Sequence, residues 1–111
     1  MNLPYETKER YIIASPEGKI DATNADEFTN LLKELLAKQS NVIINFENVN
    51  YISSAGLRSI LIGAKEAKSQ NGKFILCCLQ KHIFEIFEMT GFTQMLKIVP
   101  TIEEARSIVE E

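Results

Sequence analysis

The chain has 111 residues, of which 45% are hydrophobic and 24% are charged, a composition typical of one folded globular domain. The formal net charge is −3 and the basic residues are scattered, so the sequence lacks the positive surface of a protein that binds nucleic acid or an anionic membrane. No apolar stretch approaches the roughly 20 residues that cross a bilayer, and residues 1–16 show no leader pattern. We expect a cytoplasmic protein whose partner is another protein or a small ligand.

The first half of the chain predicts three extended segments followed by a helix. The extended segments are Glu6–Lys8, Tyr11–Ser15 and Lys19–Asp21. Thr23 or Asn24 is expected to cap the helix, because Glu27 completes a capping-box pattern with Asn24. Apolar residues at helical spacing carry the helix to about Lys38, and they are Ala25, Phe28, Leu31, Leu32, Leu35 and Leu36.

The second half predicts further strands separated by helices. Val42–Phe46 is expected to be a buried strand, Glu47–Tyr51 the loop that leaves it, and a second helix begins at Ser53 or Ser54 and ends near Asn71-Gly72. The later elements are a buried strand at Lys73–Leu79, a helix over Ile83–Met89 stopped by Gly91, a strand at Leu96–Val99 and a terminal helix opened by the capping box Thr101–Glu104. This order predicts a single α/β domain over residues 1–111, with a mixed, mostly parallel sheet of four to five strands covered by amphipathic helices.

Few residues could carry catalysis or hold a metal ion. The one histidine, His82, has no cluster of carboxylates or cysteines near it in sequence, and we expect it to cap the third helix or face solvent at its start. Cys77 and Cys78 are adjacent, so we expect reduced thiols whose side chains point to opposite faces of a buried strand. No phosphate-binding glycine pattern occurs. The sequence predicts no enzyme, no cofactor and no metal site.

The segment Asn48–Arg58 joins a buried strand to the amino end of a helix, which is where parallel α/β sheets usually meet ligands and partners. One interpretation is structural: Ser53 or Ser54 accepts a hydrogen bond from the first helical turn, and Ala55 and Gly56 are small because the helix packs closely on the sheet. The other is functional. A serine at a helix amino end is presented where free N–H groups and the helix dipole would stabilise an added phosphate.

Residues Tyr51–Arg58 resemble the signature loop of the STAS domain family of bacterial anti-sigma factor antagonists. Gly18–Asp21, Val42–Phe46 and Met89–Phe92 are similar to the segments that the family has before its first helix, in its central strand and after its third helix. The resemblance extends from about Ile12 to Val109. It implies the STAS fold.

The resemblance also implies a non-enzymatic switch. An unphosphorylated antagonist binds an anti-sigma factor that is also a serine kinase, and this releases the sigma factor. Phosphorylation of the antagonist reverses the binding, and a serine phosphatase resets the system. ATP and Mg²⁺ belong to the kinase, so the chain itself needs no cofactor, and we expect a monomer with no direct contact to nucleic acid or membrane.

By this resemblance the phosphorylated residue is Ser54, with Ser53 as the second candidate because it takes a position often held by aspartate. Asp21 matches an acidic residue near the loop, although a turn leading into the helix cap explains it equally well. Arg58 stands where many relatives have glycine and would contact the partner or the phosphate. The implied partner-binding residues are Asp21, Thr23, Asn24, Ser53, Ser54, Ala55, Gly56, Leu57 and Arg58.

Two alternatives stay open from the sequence. The chain could be a STAS scaffold or accessory subunit of a signalling or transport assembly, with Ser54 never modified. It could also be a small enzyme with Ser54 as nucleophile, although no convincing base accompanies that serine and no Gly-x-Ser-x-Gly elbow is present.

Overall fold

The computed structural model describes residues 1–111 and contains two sheets and four α-helices. The strands are β1 (Tyr5–Thr7), β2 (Ile12–Ala14), β3 (Gly18–Ile20), β4 (Val42–Asn45), β5 (Val49–Ile52), β6 (Phe74–Cys77) and β7 (Lys97–Val99). The helices are α1 (Ala25–Lys38), α2 (Ser54–Ser69), α3 (Lys81–Met89) and α4 (Ile102–Val109), with a short 3-10 turn at Phe92–Gln94. No helix combines the length and the apolar character needed to cross a membrane.

The large sheet has the order β1-β2-β4-β6-β7 and is parallel except for the edge strand β1, which runs antiparallel to β2. A mixed, mostly parallel sheet of four to five strands was predicted, and the five strands observed confirm this prediction. The central strands β4 and β6 are buried along their whole length, since helices cover both of their faces.

Side chains alternate between the two faces of this sheet and separate two apolar cores. One face carries Val42 and Ile44 and packs against α1, α2 and α3, while the other carries Ile43 and packs against α4. The periodic apolar residues of α1 account for this packing, because Phe28, Leu32, Leu35 and Leu36 are all buried.

The second sheet was not predicted. It consists of β3 and β5, which pair in parallel, so the expectation that Glu47–Tyr51 forms a loop is wrong over Val49–Tyr51. The pairing is the physical reason: Gly18 N–H donates to the carbonyl of Asn48 at 2.8 Å, and the ladder continues to Ile20 and Ile52.

The end of β6 also differs from the expectation. The strand stops at Cys77 because Cys78 adopts a left-handed conformation with φ of 63°, which an extended strand does not accommodate. The two cysteines therefore do not share a strand. Both are free thiols, as predicted, and burial raises the pKa of Cys77 far above its ordinary value.

Helix ends follow the predicted signals more closely. The Thr101 hydroxyl accepts a hydrogen bond from Glu104 N–H at 3.1 Å and caps α4. Asn71, with φ of 58°, takes the left-handed position after α2, and Gly91, with φ of 78°, does so after α3. His82 is exposed at the start of α3, as expected.

Candidate functional site

The small sheet brings two chemically important segments to one edge of the molecule. Ile20 pairs with Ile52, and Ser53 N–H continues the ladder by donating to the carbonyl of Ile20 at 2.9 Å. Asp21 and Ser53 therefore follow neighbouring parallel strands at the same level. The turn after β3 and the amino end of α2 lie side by side.

The turn after β3 is held by its own side chains. Asp21 Oδ1 accepts hydrogen bonds from Thr23 N–H at 2.9 Å and from the Thr23 hydroxyl at 2.5 Å. Asn24 Oδ1 accepts from Asp21 N–H at 3.0 Å, and Asn24 Nδ2 donates to the carbonyl of Lys19 at 2.8 Å. The turn is thus fixed before any partner arrives.

These contacts correct the capping prediction for α1. Asn24 occupies the N-cap position, but its side chain makes no hydrogen bond to the first turn of the helix. Its amide group is engaged with Lys19 and Asp21 instead. Asp26 and Glu27 in the first turn still complement the positive end of the helix dipole.

The two serines at the amino end of α2 have different roles. Ser53 is the N-cap, and its Oγ accepts a hydrogen bond from Gly56 N–H at 3.4 Å. Ser54 is the first helical residue, and its side chain is exposed. The N–H groups of Ser54 and Ala55 have no acceptor within the protein, as is usual for a first turn. Arg58 is exposed one turn further along, on the same side of the helix as Ser54.

Gly56 and Leu57 support this site from beneath. A Cβ on Gly56 would lie 2.8 Å from the carbonyl oxygen of Ile20 and 2.8 Å from Ile52 Cγ1, so only glycine allows α2 to approach β3 and β5 this closely. Leu57 is buried in the main core. Both residues are buried in the free chain, and their expected part in partner binding stays a prediction.

Ser59 is a structural link that the sequence did not single out. Its side chain is 2% exposed, and its Oγ donates to the carbonyl of Ala25 at 2.9 Å and accepts from the Thr29 hydroxyl at 2.7 Å. These bonds tie α2 to the first turns of α1. A serine between the buried Leu57 and Ile60 is the signal that could have revealed it, because buried polar side chains require partners.

Tyr51 extends the exposed part of the site. It lies on β5 with 46% of its surface exposed. The neighbouring Asn50 carbonyl is 2.7 Å from His82 Nε2, which connects β5 to the start of α3. His82 is the only histidine of the chain, and this hydrogen bond gives it a structural role.

A model of the STAS domain matches residues 2–105. The chain belongs to the STAS domain family. The protein BtrV of Bordetella bronchiseptica is 31% identical over 106 residues, which cover 95% of this chain and 91% of BtrV. The anti-sigma-B factor antagonist of Listeria monocytogenes is 31% identical over 103 residues, which cover 88% of this chain and 90% of that protein.

A solved structure shows the same STAS fold. The crystal structure of the Thermotoga maritima protein TM1081 superposes with a TM-score of 0.91 at 25% sequence identity, covering 98% of this chain and 95% of that one. In the present STAS domain, Asp21, Thr23, Asn24, Ser53 and Ser54 come together as one surface, with Ala55 half-buried and Arg58 exposed beside them. Their roles in phosphorylation and partner binding stay predictions.

The Asp21 carboxylate gives this surface a pH dependence. Hydrogen bonds from the Thr23 hydroxyl and the Thr23 N–H lower the pKa of Asp21 below its ordinary value. Because the folded-state pKa is depressed, the stability from Asp21 is present above its unfolded pKa of about 3.9 and is lost as pH falls through the folded value.

An NMR titration of the Asp21 carboxyl group should show this low midpoint. In Thr23→Val, which lacks the hydroxyl donor, the midpoint should rise, and an unchanged midpoint would contradict the assigned cause.

Proposed function

We propose that this protein is an anti-sigma factor antagonist that binds its partner protein through the surface around Asp21 and the amino end of α2. The name of the Listeria relative supports this class of function. The observation that carries the proposal is the exposed Ser54 at the first position of α2, beside two N–H groups without acceptors and next to a preorganised turn. The protein acts in the cytoplasm as a single STAS domain, in its monomeric form.

Ser54 is the proposed phosphorylation site. Its hydroxyl is exposed, and a phosphate there would lie near the free N–H groups of the first turn and the positive end of the helix dipole. Arg58, one turn away, offers a cation to the same group. Phosphorylation of Ser53 would instead remove the acceptor of Gly56 N–H and weaken the cap of α2. These differences favour Ser54 over Ser53.

Phosphorylation at this position acts by blocking the surface. A phosphate adds about −1.5 to −2 charges and a bulky group in the middle of the proposed contact area. Desolvating that charge against the partner opposes docking without any change in the fold. In the proposed cycle the anti-sigma factor is itself the serine kinase and supplies ATP and Mg²⁺, and a serine phosphatase restores the binding-competent form.

A non-enzymatic role is supported by the groups around Ser54. A serine nucleophile needs a base that accepts its proton, and the pairing of β3 with β5 brings the Asp21 carboxylate to this site. That carboxylate already accepts two hydrogen bonds from Thr23, which lower its pKa and make it a weaker base. His82 is bonded to Asn50 at the start of α3. We therefore propose binding and modification at Ser54 rather than catalysis.

The test uses the cognate anti-sigma factor kinase with ATP and Mg²⁺. Wild type and Ser53→Ala should each gain one phosphate by intact mass, and Ser54→Ala should gain none. Peptide mapping then identifies the modified residue. Phosphate on Ser53 would overturn the site assignment. A stable complex without phosphorylation would favour an accessory STAS subunit, and the absence of any complex would overturn the antagonist function.

A further inference from the structure

The face of the large sheet that carries α4 is only partly covered. The helix packs on β4, β6 and β7, and a groove of about 380 Å³ lies beside it over β1, β2 and β4. Ser15 follows β2 and Asn45 ends β4, and the pairing of Ala14 with Ile44 places these two residues at the same level. The groove thus lies at the carboxyl ends of parallel strands, where α/β proteins usually bind ligands.

Arg106 of α4 lines this groove with an unused guanidinium group. Its Nε is shielded from solvent and has no acceptor. The guanidinium makes no ion pair either, since the ion pairs of the chain join Met1 to Glu27 and Lys8 to Glu6. A shielded donor without an acceptor costs free energy, and an acceptor supplied by a ligand would remove that cost.

Asn45 and Ser15 add donors to the lining of the same groove. Asn45 is 9% exposed, and its Oδ1 accepts from Glu47 N–H at 2.9 Å, which leaves its NH₂ group for another acceptor. Ser15 lines the same space and adds a hydroxyl that can donate. Three donors, which lie just after β2, at the end of β4 and on α4, therefore line one groove, and a planar acceptor with two oxygens matches such a set.

The charges and apolar walls narrow the class of ligand. Arg106 contributes one positive charge, and the Glu6 carboxylate at the rim lies 3.1 Å from Lys8 Nζ and is largely neutralised by it. A group with one negative charge matches the single Arg106 guanidinium, whereas a dianion would bring a second charge that no cation of the groove lining compensates. Ile13 and Ile102 give the groove apolar walls.

We propose that this groove binds a small organic carboxylate with an apolar body, whose carboxylate accepts hydrogen bonds from Arg106 and Asn45. A guanidinium binds a planar carboxylate through two parallel hydrogen bonds, and the apolar body would lie against Ile13 and Ile102. The site is separate from Ser54. The groove lies at the start of the β4–β5 connection, because Asn45 lines the groove and its Oδ1 accepts a hydrogen bond from Glu47 N–H.

Benzoate is a suitable probe, because it combines a carboxylate with an apolar ring. In a nitrogen-15 NMR titration of the full chain, benzoate should shift the Arg106 Nε–H, the Asn45 side-chain amide and the Ser15 amide signals saturably. Arg106→Gln should weaken the affinity at least about tenfold, as expected for loss of a charge-assisted hydrogen bond. Arg10→Gln removes an equal charge from an exposed residue outside the proposed contacts and should bind as wild type does.

A second variant keeps the test decisive if Arg106→Gln folds poorly. Asn45→Asp retains the acceptor for Glu47 N–H but replaces the NH₂ donor with a negative charge, so it should abolish benzoate binding. Shifts that do not saturate, or equal affinity in Arg106→Gln and wild type, would overturn the proposal. Inorganic phosphate that binds as tightly as benzoate would overturn the carboxylate class, and so would sodium chloride that reproduces the shifts at equal ionic strength.

Discussion

Replacing Ser54 with aspartate is expected to weaken binding to the anti-sigma factor by about 30-fold or more, which corresponds to about 2 kcal/mol. The physical reason is charge: the exposed Ser54 hydroxyl lies in the proposed contact surface, and a carboxylate there must lose its hydration on docking. Folding should not suffer, because an acidic side chain in the first turn of a helix is stabilising by about 0.3–1 kcal/mol. Titration calorimetry and urea unfolding on the same samples measure both quantities.

Ser54→Asn is the matched control for this experiment. It has nearly the shape of aspartate without the charge, so its affinity should stay close to that of the wild type. Equal weakening by Asn and Asp would show that bulk rather than charge blocks docking. Unchanged affinity in Ser54→Asp would contradict a charge-based switch at this position, and the phosphorylated wild type, with a larger charge, should bind more weakly than either variant.

Local sequence patterns were sufficient to predict most of the main sheet and its helices. The β-branched run of β4 and the apolar spacing of α1 each depend on residues that are close in sequence, and both elements form where expected. The capping box of α4 is likewise a local pattern, and Thr101 caps as predicted. These elements follow from periodicity and capping, which a single sequence displays.

β5 could not be predicted in the same way. Asn48 and Asn50 are typical of turns, and they interrupt the strand-favouring residues Val49, Tyr51 and Ile52. The segment becomes extended because it pairs with Gly18–Ile20, which is distant in the chain. A similar reason applies to Asn24, whose amide side chain is taken by the Lys19 carbonyl rather than by its own helix. Tertiary contacts override local preference in both cases.

Part of the candidate site could be predicted, because some of its residues are close together in sequence. Ser53, Ser54 and Arg58 are close together in the chain, so the sequence alone indicates that they can act at one site. Asp21 joined them only through the family resemblance, and the register of β3 with β5 explains its position beside Ser53. The groove at Arg106 had no sequence signal, because Ser15, Asn45 and Arg106 come from distant elements and converge only in the folded chain.

Gly56→Ala is expected to destabilise the fold by about 1–3 kcal/mol, the usual cost of overpacking. Its new Cβ would lie 2.8 Å from the Ile20 carbonyl oxygen, and backbone atoms cannot move aside as a flexible side chain can. The amino end of α2 must therefore shift away from β3 and β5, which displaces Ser54 relative to Asp21. Urea unfolding measures the stability, and we expect both partner affinity and the rate of Ser54 phosphorylation to fall in samples that remain folded.

Gly72→Ala separates this local effect from a general loss of stability. A Cβ on Gly72 would lie 1.9 Å from the carbonyl oxygen of Ser40, so this variant should be at least as destabilised as Gly56→Ala. Gly72 and Ser40 precede β6 and β4 and so lie at the amino ends of these strands, whereas the residues of the site follow the carboxyl ends of β3 and β5. At a temperature where both variants are folded, Gly72→Ala should bind the partner and accept phosphate as the wild type does. Equal functional losses in the two variants would show that destabilisation alone, rather than the position of α2 on the small sheet, governs docking.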